Sequence, residues 1–368
     1  MNIVFRTDAS LDIGTGHIMR CLVLAEALRE KGAICSFVCR EHVGNLIELI
    51  RQRGFIVHNL PMQPAATIKI DISDKTILSH ASWLGADLKS DAEQTKVAIG
   101  DTTIDWLIVD HYALDYRWET ELKSHFRKLM VIDDLADREH ECNLLLDQNW
   151  FGEEIEMRYK RLVPATCKTI LGPKYALLGP EYEQLRAEMP PRSNIIRRVL
   201  VFLGGSDPSN QTAKVVRALT HHSLMKLAVD VVIGVNHPSL ASIQALAAQR
   251  IETSVHQGVP SLGKLMVQAD LMISAGGSTG WERMCLGLPA IVISVADNQT
   301  ATNLALMKAG YINFLGHMNH ICISDIRIMI KNCLLDIGKM NRQTLMGQQL
   351  VDGMGVANVI GCIMGNDV

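Results

Sequence analysis

Three stretches concentrate side chains that can do chemistry. The first is Arg6-Thr7-Asp8 followed by Gly14-Thr15-Gly16-His17-Ile18-Met19-Arg20, which places guanidinium, carboxylate and imidazole groups on a single strand–loop–helix turn. Gly14 and Gly16 let backbone amides approach a ligand, and the helix start turns its positive dipole end outward, so an anion or a polarised oxygen is welcome there. Arg6 and Arg20 add positive charge for the same ligand. His17 falls in the first helical turn, where partial positive charge favours the neutral ring, and a neutral imidazole can take a proton from water. Asp8 is the expected partner that orients it. A plainer reading, with His17 as a helix cap and Arg6 and Asp8 as a local ion pair, fits these residues equally well.

The second stretch is Ala275-Gly276-Gly277-Ser278-Thr279-Gly280, between an apolar run and a helix that begins around Trp281-Glu282. Such a turn offers backbone N–H groups and two hydroxyls to a diphosphate. Glu282, three residues beyond Thr279, could accept both hydroxyls of a ribose, or simply complement the helix dipole. In the third stretch, Asp297-Asn298-Gln299, the two amides both donate and accept and suit a sugar bearing hydroxyl and acetamido groups; Asn298 as a plain N-cap is the alternative. The Gly204-Gly205 loop opens the second half of the chain in the way the His17 loop opens the first, and Gly205 joins the expected ligand contacts.

Other patterns carry less. Gly14-x-Gly16 matches a dinucleotide fingerprint poorly, because the first glycine comes late, Met19 stands at the third glycine position and Arg40 ends the second strand where an acid is expected. His221-His222 and His317-x-x-His320 lack further ligands at metal-site spacing. Asp110-His111-Tyr112 and Asp133-Asp134 end apolar runs and could line a crevice, although acids are ordinary loop starters. No metal and no cofactor is expected.

These loops need a scaffold, and the chain supplies one. Short apolar runs at 2–7, 34–39, 55–59, 106–110, 129–132 and 144–146, then at 198–203, 228–233, 251–255, 271–274 and 290–294, alternate with helix-period segments. That alternation predicts parallel strands joined by crossover helices, an α/β fold. The best helix is 17–31, with Ile18, Cys21, Leu22, Ala25 and Leu28 in one stripe. With prolines clustered in 172–196, the expected division is 1–185, carrying His17, and 186–368, binding a nucleotide, with the last helix packing back on the first domain. Two open parallel sheets in tandem present their binding loops to a central cleft.

Composition agrees. The chain has 368 residues, 48% of them hydrophobic, enough for two cores, and its formal charge of −3 leaves no basic surplus for nucleic acid or an anionic membrane. Nine cysteines without a CxxC pair read as buried thiols. The first ten residues lack the pattern of a signal peptide, and no apolar run reaches the ~20 residues of a membrane span. A cytoplasmic monomer acting on a small molecule is the expectation.

Seven ordered blocks carry a family resemblance: RTD…GTGHIMR at 6–20, DHYALD at 110–115, IDDLADR at 132–138, LLLDQN at 144–149, GPKYALLGPEY at 172–182, FLGGSDPSNQT at 202–212 and AGGSTGWERMCLGLPAIVISVADNQ at 275–299. With these the chain resembles the UDP-2,4-diacetamido-2,4,6-trideoxy-β-L-altropyranose hydrolases of pseudaminic acid biosynthesis, relatives of the MurG-type GT-B glycosyltransferases. The resemblance implies two Rossmann-like domains and a metal-independent hydrolase that inverts at C1 by C–O cleavage. It implies further that His17 activates the water, Glu282 accepts the ribose, 276–279 hold the diphosphate, and Asn298 and Gln299 read the sugar. A glycosyltransferase of the same fold, or a nucleotide-sugar sensor without chemistry, would use the same sites.

Overall fold

A parallel strand covered on both faces needs an unbroken apolar run, and the runs of this chain build two such sheets. The computed structural model describes residues 1–64, 78–100, 103–235 and 237–365. Two units emerge: 1–149, 153–177 and 356–368 form the first, and 150–152 with 178–355 form the second.

The first unit runs β1 (Asn2–Thr7), α1 (Gly16–Glu30), β2 (Ile34–Arg40), α2 (Ile47–Gln52), β3 (Ile56–Leu60), α3 (Leu88–Ile99), β4 (Ile104–Asp110), α4 (Tyr116–Glu121), β5 (Phe126–Ile132), β6 (Leu144–Asp147) and β7 (Lys168–Leu171). Its seven strands are parallel in the order β3-β2-β1-β4-β5-β6-β7. The second unit runs α5 (Pro180–Glu188), β8 (Arg198–Phe202), α6 (Gln211–Leu219), β9 (Ala228–Ile233), α7 (Leu240–Ala247), β10 (Thr253–Gln257), α8 (Gly263–Gln268), β11 (Leu271–Ala275), α9 (Thr279–Cys285), β12 (Ala290–Ser294), α10 (Asn298–Lys308), β13 (Asn313–His317), α11 (Ile323–Leu335) and α12 (Ile337–Leu350). Its sheet has six parallel strands in the order β10-β9-β8-β11-β12-β13.

In each sheet the strand order reverses once, between β1 and β4 and between β8 and β11. The loops leaving the carboxyl ends at such a switch point diverge to opposite faces and open a crevice. The His17 loop follows β1, and Asp110 ends β4. In the second unit the Gly205 loop follows β8 and the Gly276–Thr279 turn follows β11.

Alternation along the strands sets the layers. Ile3, Phe5, Trp106 and Ile108 pack with Ile18, Cys21, Leu22, Ala25 and Leu28 of α1 in one core, whereas Val4, Leu107 and Val109 join a second core with Ala92 of α3. The stripe predicted for α1 is buried as expected.

A final helix, α13 (Gly355–Met364), contributes Val359, Ile360 and Ile363 to the α1-side core of the first unit. The units divide at 177/178 rather than 185/186, because α5 packs against α8 and α9 of the second unit. Arginines from the connecting segment fasten it there. Arg186 donates to the carbonyls of Cys285, Gln348 and Val351, and Arg192 to those of Met266, Ala269 and Leu286, covering carbonyls that helix C-termini leave open.

Two strands, β7 and β13, are absent from the runs read in the sequence. Both lie at sheet edges and are only partly buried, so neither carries the unbroken apolar pattern of a central strand. Among the described residues no helix is long and apolar enough to cross a membrane.

Candidate functional site

In the first unit, α1 grips one carboxylate with one face. His17, Arg20 and Cys21 are spaced i, i+3 and i+4, so their side chains share a side of the helix. All three converge on Asp110: His17 Nδ1 at 2.5 Å, Arg20 Nε at 2.6 Å, Arg20 Nη2 at 2.7 Å, and Cys21 Sγ at 3.5 Å. Burial opposes ionisation of Asp110, but Arg20 and then His17 outweigh it and hold the carboxyl well below the usual range. A carboxylate accepts only, so in the neutral ring of His17 the proton sits on Nδ1 and the lone pair on Nε2. The edge of Tyr112 packs against the imidazole, with ring centroids 4.6 Å apart, and its hydroxyl donates to Asp134, which also accepts from Arg20 at 3.2 Å. Ring orientation is therefore fixed on two sides.

This geometry corrects three expectations. Asp8 does not orient His17. It is fully buried, accepts the Arg40 amide at 2.6 Å, and lies 2.8 Å from Arg6 and 3.3 Å from His111 Nε2. Arg6, also fully buried, spans Asp8 and Asp91, and Asp91 binds Arg40 and Trp118 as well. It is a brace among β1, β2, α3 and α4, out of reach of a ligand. Arg20 has each of its guanidinium nitrogens on Asp110 or Asp134, so its first role is to position the acid.

The reason is strand alternation. Arg6 and Asp8 share parity with Val4, on the α3 face, while Asp110 shares parity with Trp106 and Ile108, on the α1 face. Parallel pairing sets Thr7 beside Asp110, which puts Asp8 next to His111. The loop between β1 and α1 is held by Ser10, whose hydroxyl accepts from the Asp12 and Ile13 amides, and by Gly14, whose amide returns to the Ser10 carbonyl at 2.9 Å. Gly14 has φ +79°, a conformation that favours glycine. Gly16 is exposed and begins α1, whose N-terminus carries no side-chain cap.

The second unit assembles its residues differently. β8, β11 and β12 are neighbours, so Gly205, the 276–279 turn, Asn298 and Gln299 all stand at adjacent carboxyl ends. Asn303 of α10 donates to Ser294 at 3.1 Å and packs so tightly on Gly276 that a Cβ there would meet its Nδ2 at 1.9 Å. Gln299 Oε1 accepts the Val295 amide at 3.0 Å, leaving its Nε2 over Gly277. Gly277, Ser278 and Asn298 are exposed, and Thr279 is partly so. Neither α9 nor α10 has a side-chain cap. The start of α6 contrasts with them: Asp207 accepts from the Gln211 and Thr212 amides at 2.9 and 2.8 Å, so that helix end already holds an anion beside Gly205.

Glu282 is partly buried and accepts the Tyr182 hydroxyl on Oε2 at 2.7 Å. Burial pushes its carboxyl up to about 7, with Tyr182 pulling in the other direction. Sequence reasoning missed Asp110 as the partner of His17 and missed Tyr182 altogether. The strand order would have found the first; Tyr182 lies 100 residues from Glu282 and leaves no local signal. Among the described residues no cluster of three or more His, Cys, Asp or Glu could hold a metal.

Two α/β units with parallel sheets of seven and six strands are the architecture of the GT-B glycosyltransferases, and solved structures bear this out. MurG of Acinetobacter baumannii superposes with a TM-score of 0.64 at 13% identity, covering 99% of each chain. The rhamnosyltransferase SpnG bound to thymidine diphosphate gives 0.66 at 16%, over 98% of this chain and 99% of that one. No family model matches the chain.

Among curated proteins, the UDP-2,4-diacetamido-2,4,6-trideoxy-β-L-altropyranose hydrolase of Campylobacter jejuni is 25% identical over 84% of this chain and 98% of its own length. The spore coat polysaccharide biosynthesis protein SpsG of Bacillus subtilis is 21% identical over 98% of this chain and 96% of its own. An uncharacterised protein of Methanocaldococcus jannaschii is 24% identical over 84% of this chain, which spans only 61% of that longer relative.

Proposed function

We propose that the chain hydrolyses a UDP-linked diacetamido trideoxy sugar, UDP-2,4-diacetamido-2,4,6-trideoxy-β-L-altropyranose, releasing UDP and the free sugar with inversion at C1. The observation that carries the reading is His17, held by Asp110 in the tautomer whose Nε2 can act as a base. Similarity to the Campylobacter jejuni hydrolase supports the choice of substrate.

In this reading His17 Nε2 takes a proton from water as the water oxygen bonds to C1. The C1–O bond to the diphosphate breaks, and UDP leaves with the electron pair. Asp110 stabilises the imidazolium that forms, as a buried acid does for a catalytic histidine. UDP is a good leaving group, so one base suffices where most glycosidases use two carboxylates. The uncapped amides of the 276–279 turn, with Ser278 and Thr279, hold the diphosphate and stabilise the charge that develops there. Glu282 accepts the ribose hydroxyls, Asn298 and the Gln299 amide nitrogen face the sugar, and Gly14, Gly16 and Gly205 let main chain approach the ligand.

UDP release from the purified chain, with the anomeric product followed by NMR, tests this. Release that needs no acceptor, and a product inverted at C1, is the expected result. A second reading, transfer of the sugar to an acceptor hydroxyl, is favoured by the rhamnosyltransferase function named for SpnG. UDP release that appears only when an acceptor is added would select it.

A further inference from the structure

Glu282 reaches its position with help from outside its own turn. Tyr182, on α5, is 3% exposed, and its hydroxyl donates to Glu282 Oε2 at 2.7 Å. α5 is itself pinned by Arg186 to the main chain of Cys285 at the end of α9, the helix that carries Glu282. The Tyr182–Glu282 pair is thus built on a fixed frame. A ring filling space in this place would need no hydroxyl, so the hydroxyl calls for a reason of its own.

We propose that Tyr182 is a positioning residue for nucleotide recognition: its hydroxyl fixes one oxygen of the Glu282 carboxylate so that the other is free, and correctly turned, to accept the ribose hydroxyls of a uridine diphosphate. The proposal rests on the reading of Glu282 as the ribose acceptor. Two physical effects support it. A glutamate has several rotatable bonds whose freedom must be surrendered on binding, and a phenol that already holds the carboxylate removes that cost. Donation to a carboxylate also favours its ionised form, the form that accepts from two hydroxyls, against the burial and the nearby Glu181 that disfavour it.

The test is calorimetric titration of the full chain with UDP and with 2′-deoxy-UDP, in wild type and in Tyr182→Phe, which keeps the ring. Tyr182→Phe is expected to weaken UDP about tenfold, the scale of one hydrogen bond to a charged group, and 2′-deoxy-UDP only about two- to threefold. The melting temperature should stay close to wild type. Arg186→Lys, which leaves Tyr182 in place but loosens the grip of α5 on the end of α9, is expected to weaken UDP by a smaller factor, about two- to threefold, again with less effect on the deoxy ligand.

Equal losses for both ligands, or no loss of UDP affinity in either variant, overturn the role of Tyr182. The reading of Glu282 fails separately: wild type would then bind UDP and 2′-deoxy-UDP alike, and Glu282→Gln would change neither. Should Tyr182→Phe not fold, Arg186→Lys alone decides, and an unchanged UDP affinity in that variant rejects the proposal.

Discussion

Around His17 the polar groups complete one another before any ligand arrives. Asp110 takes donors from three residues of α1, Arg20 is shared with Asp134, and Tyr112 closes the ring's flank. The 276–279 turn of the second unit is made the other way: α9 starts uncapped, as α1 does, but Gly277 and Ser278 stand exposed, while the anion-capped start of α6 shows that the same sheet can satisfy such a terminus when it is not needed. The difference fits the tasks assigned to the two sites. A base must be oriented and its tautomer set in advance, so its surroundings are internally saturated. A leaving-group holder must gain its partners from the ligand, so its donors are left open.

Substitutions at His17 press hardest on the comparison. His17→Asn should lower the rate of UDP release by about a thousandfold, the scale of a general base, and leave UDP affinity nearly unchanged. A variant that still turns over near the wild-type rate removes the first site from the chemistry.

Asp110→Asn should cost about a hundredfold in rate, because the amide no longer enforces the tautomer. It should also destabilise the unit by about 3 kcal/mol or more, since Arg20 is left buried without its main partner. Rate and chemical denaturation measured together separate the two losses, and stability lost without rate would make Asp110 a brace only.

In the second unit, Gly276→Ala forces Asn303 away from the turn. Overpacking of this kind costs about 1–3 kcal/mol, so UDP affinity should fall by roughly ten- to a hundredfold. An unchanged dissociation constant would mean that the turn does not meet the nucleotide.

Titration gives a milder probe. The folded-state carboxyl of Glu282 titrates at about 7, above its ordinary range, so it gains its accepting charge only as pH rises through that value. If the ionised form alone takes the ribose, UDP affinity should climb about tenfold from pH 6 to pH 8 in wild type and lose that share of the rise in Glu282→Gln. The variant as the comparator removes the ligand's own phosphate ionisation from the result.

The smallest effect belongs to the capped helix. Asp207→Ala should lower stability by about 1 kcal/mol, visible as a lower melting temperature.

Much of this was legible in the chain itself. Eleven of the strands stand as apolar runs, and the turns after β8, β11 and β12 announce themselves because each is a continuous segment whose glycines and hydroxyls act where they lie. What was not legible depends on pairings far apart in sequence. Asp8 and His17 look like partners at nine residues' separation, yet the structure crosses the pairs, Asp8 to His111 and Asp110 to His17, because β4 docks beside β1 with Thr7 against Asp110. Edge strands β7 and β13 escaped notice for a related reason: their incompletely buried residues carry no core pattern, and only a neighbouring strand makes them strands.

The sequence alone determined the α/β alternation, the helix that bears His17 and the chemical character of each loop, because these follow from local periodicity and from residues acting within their own turn. Only the tertiary structure decided which carboxylate meets the imidazole, that Arg6 and Arg20 serve the scaffold, and that a tyrosine from the connecting segment holds Glu282. Each is settled by strand order, register and the side of the sheet a residue faces, and none of these exists until distant segments pack.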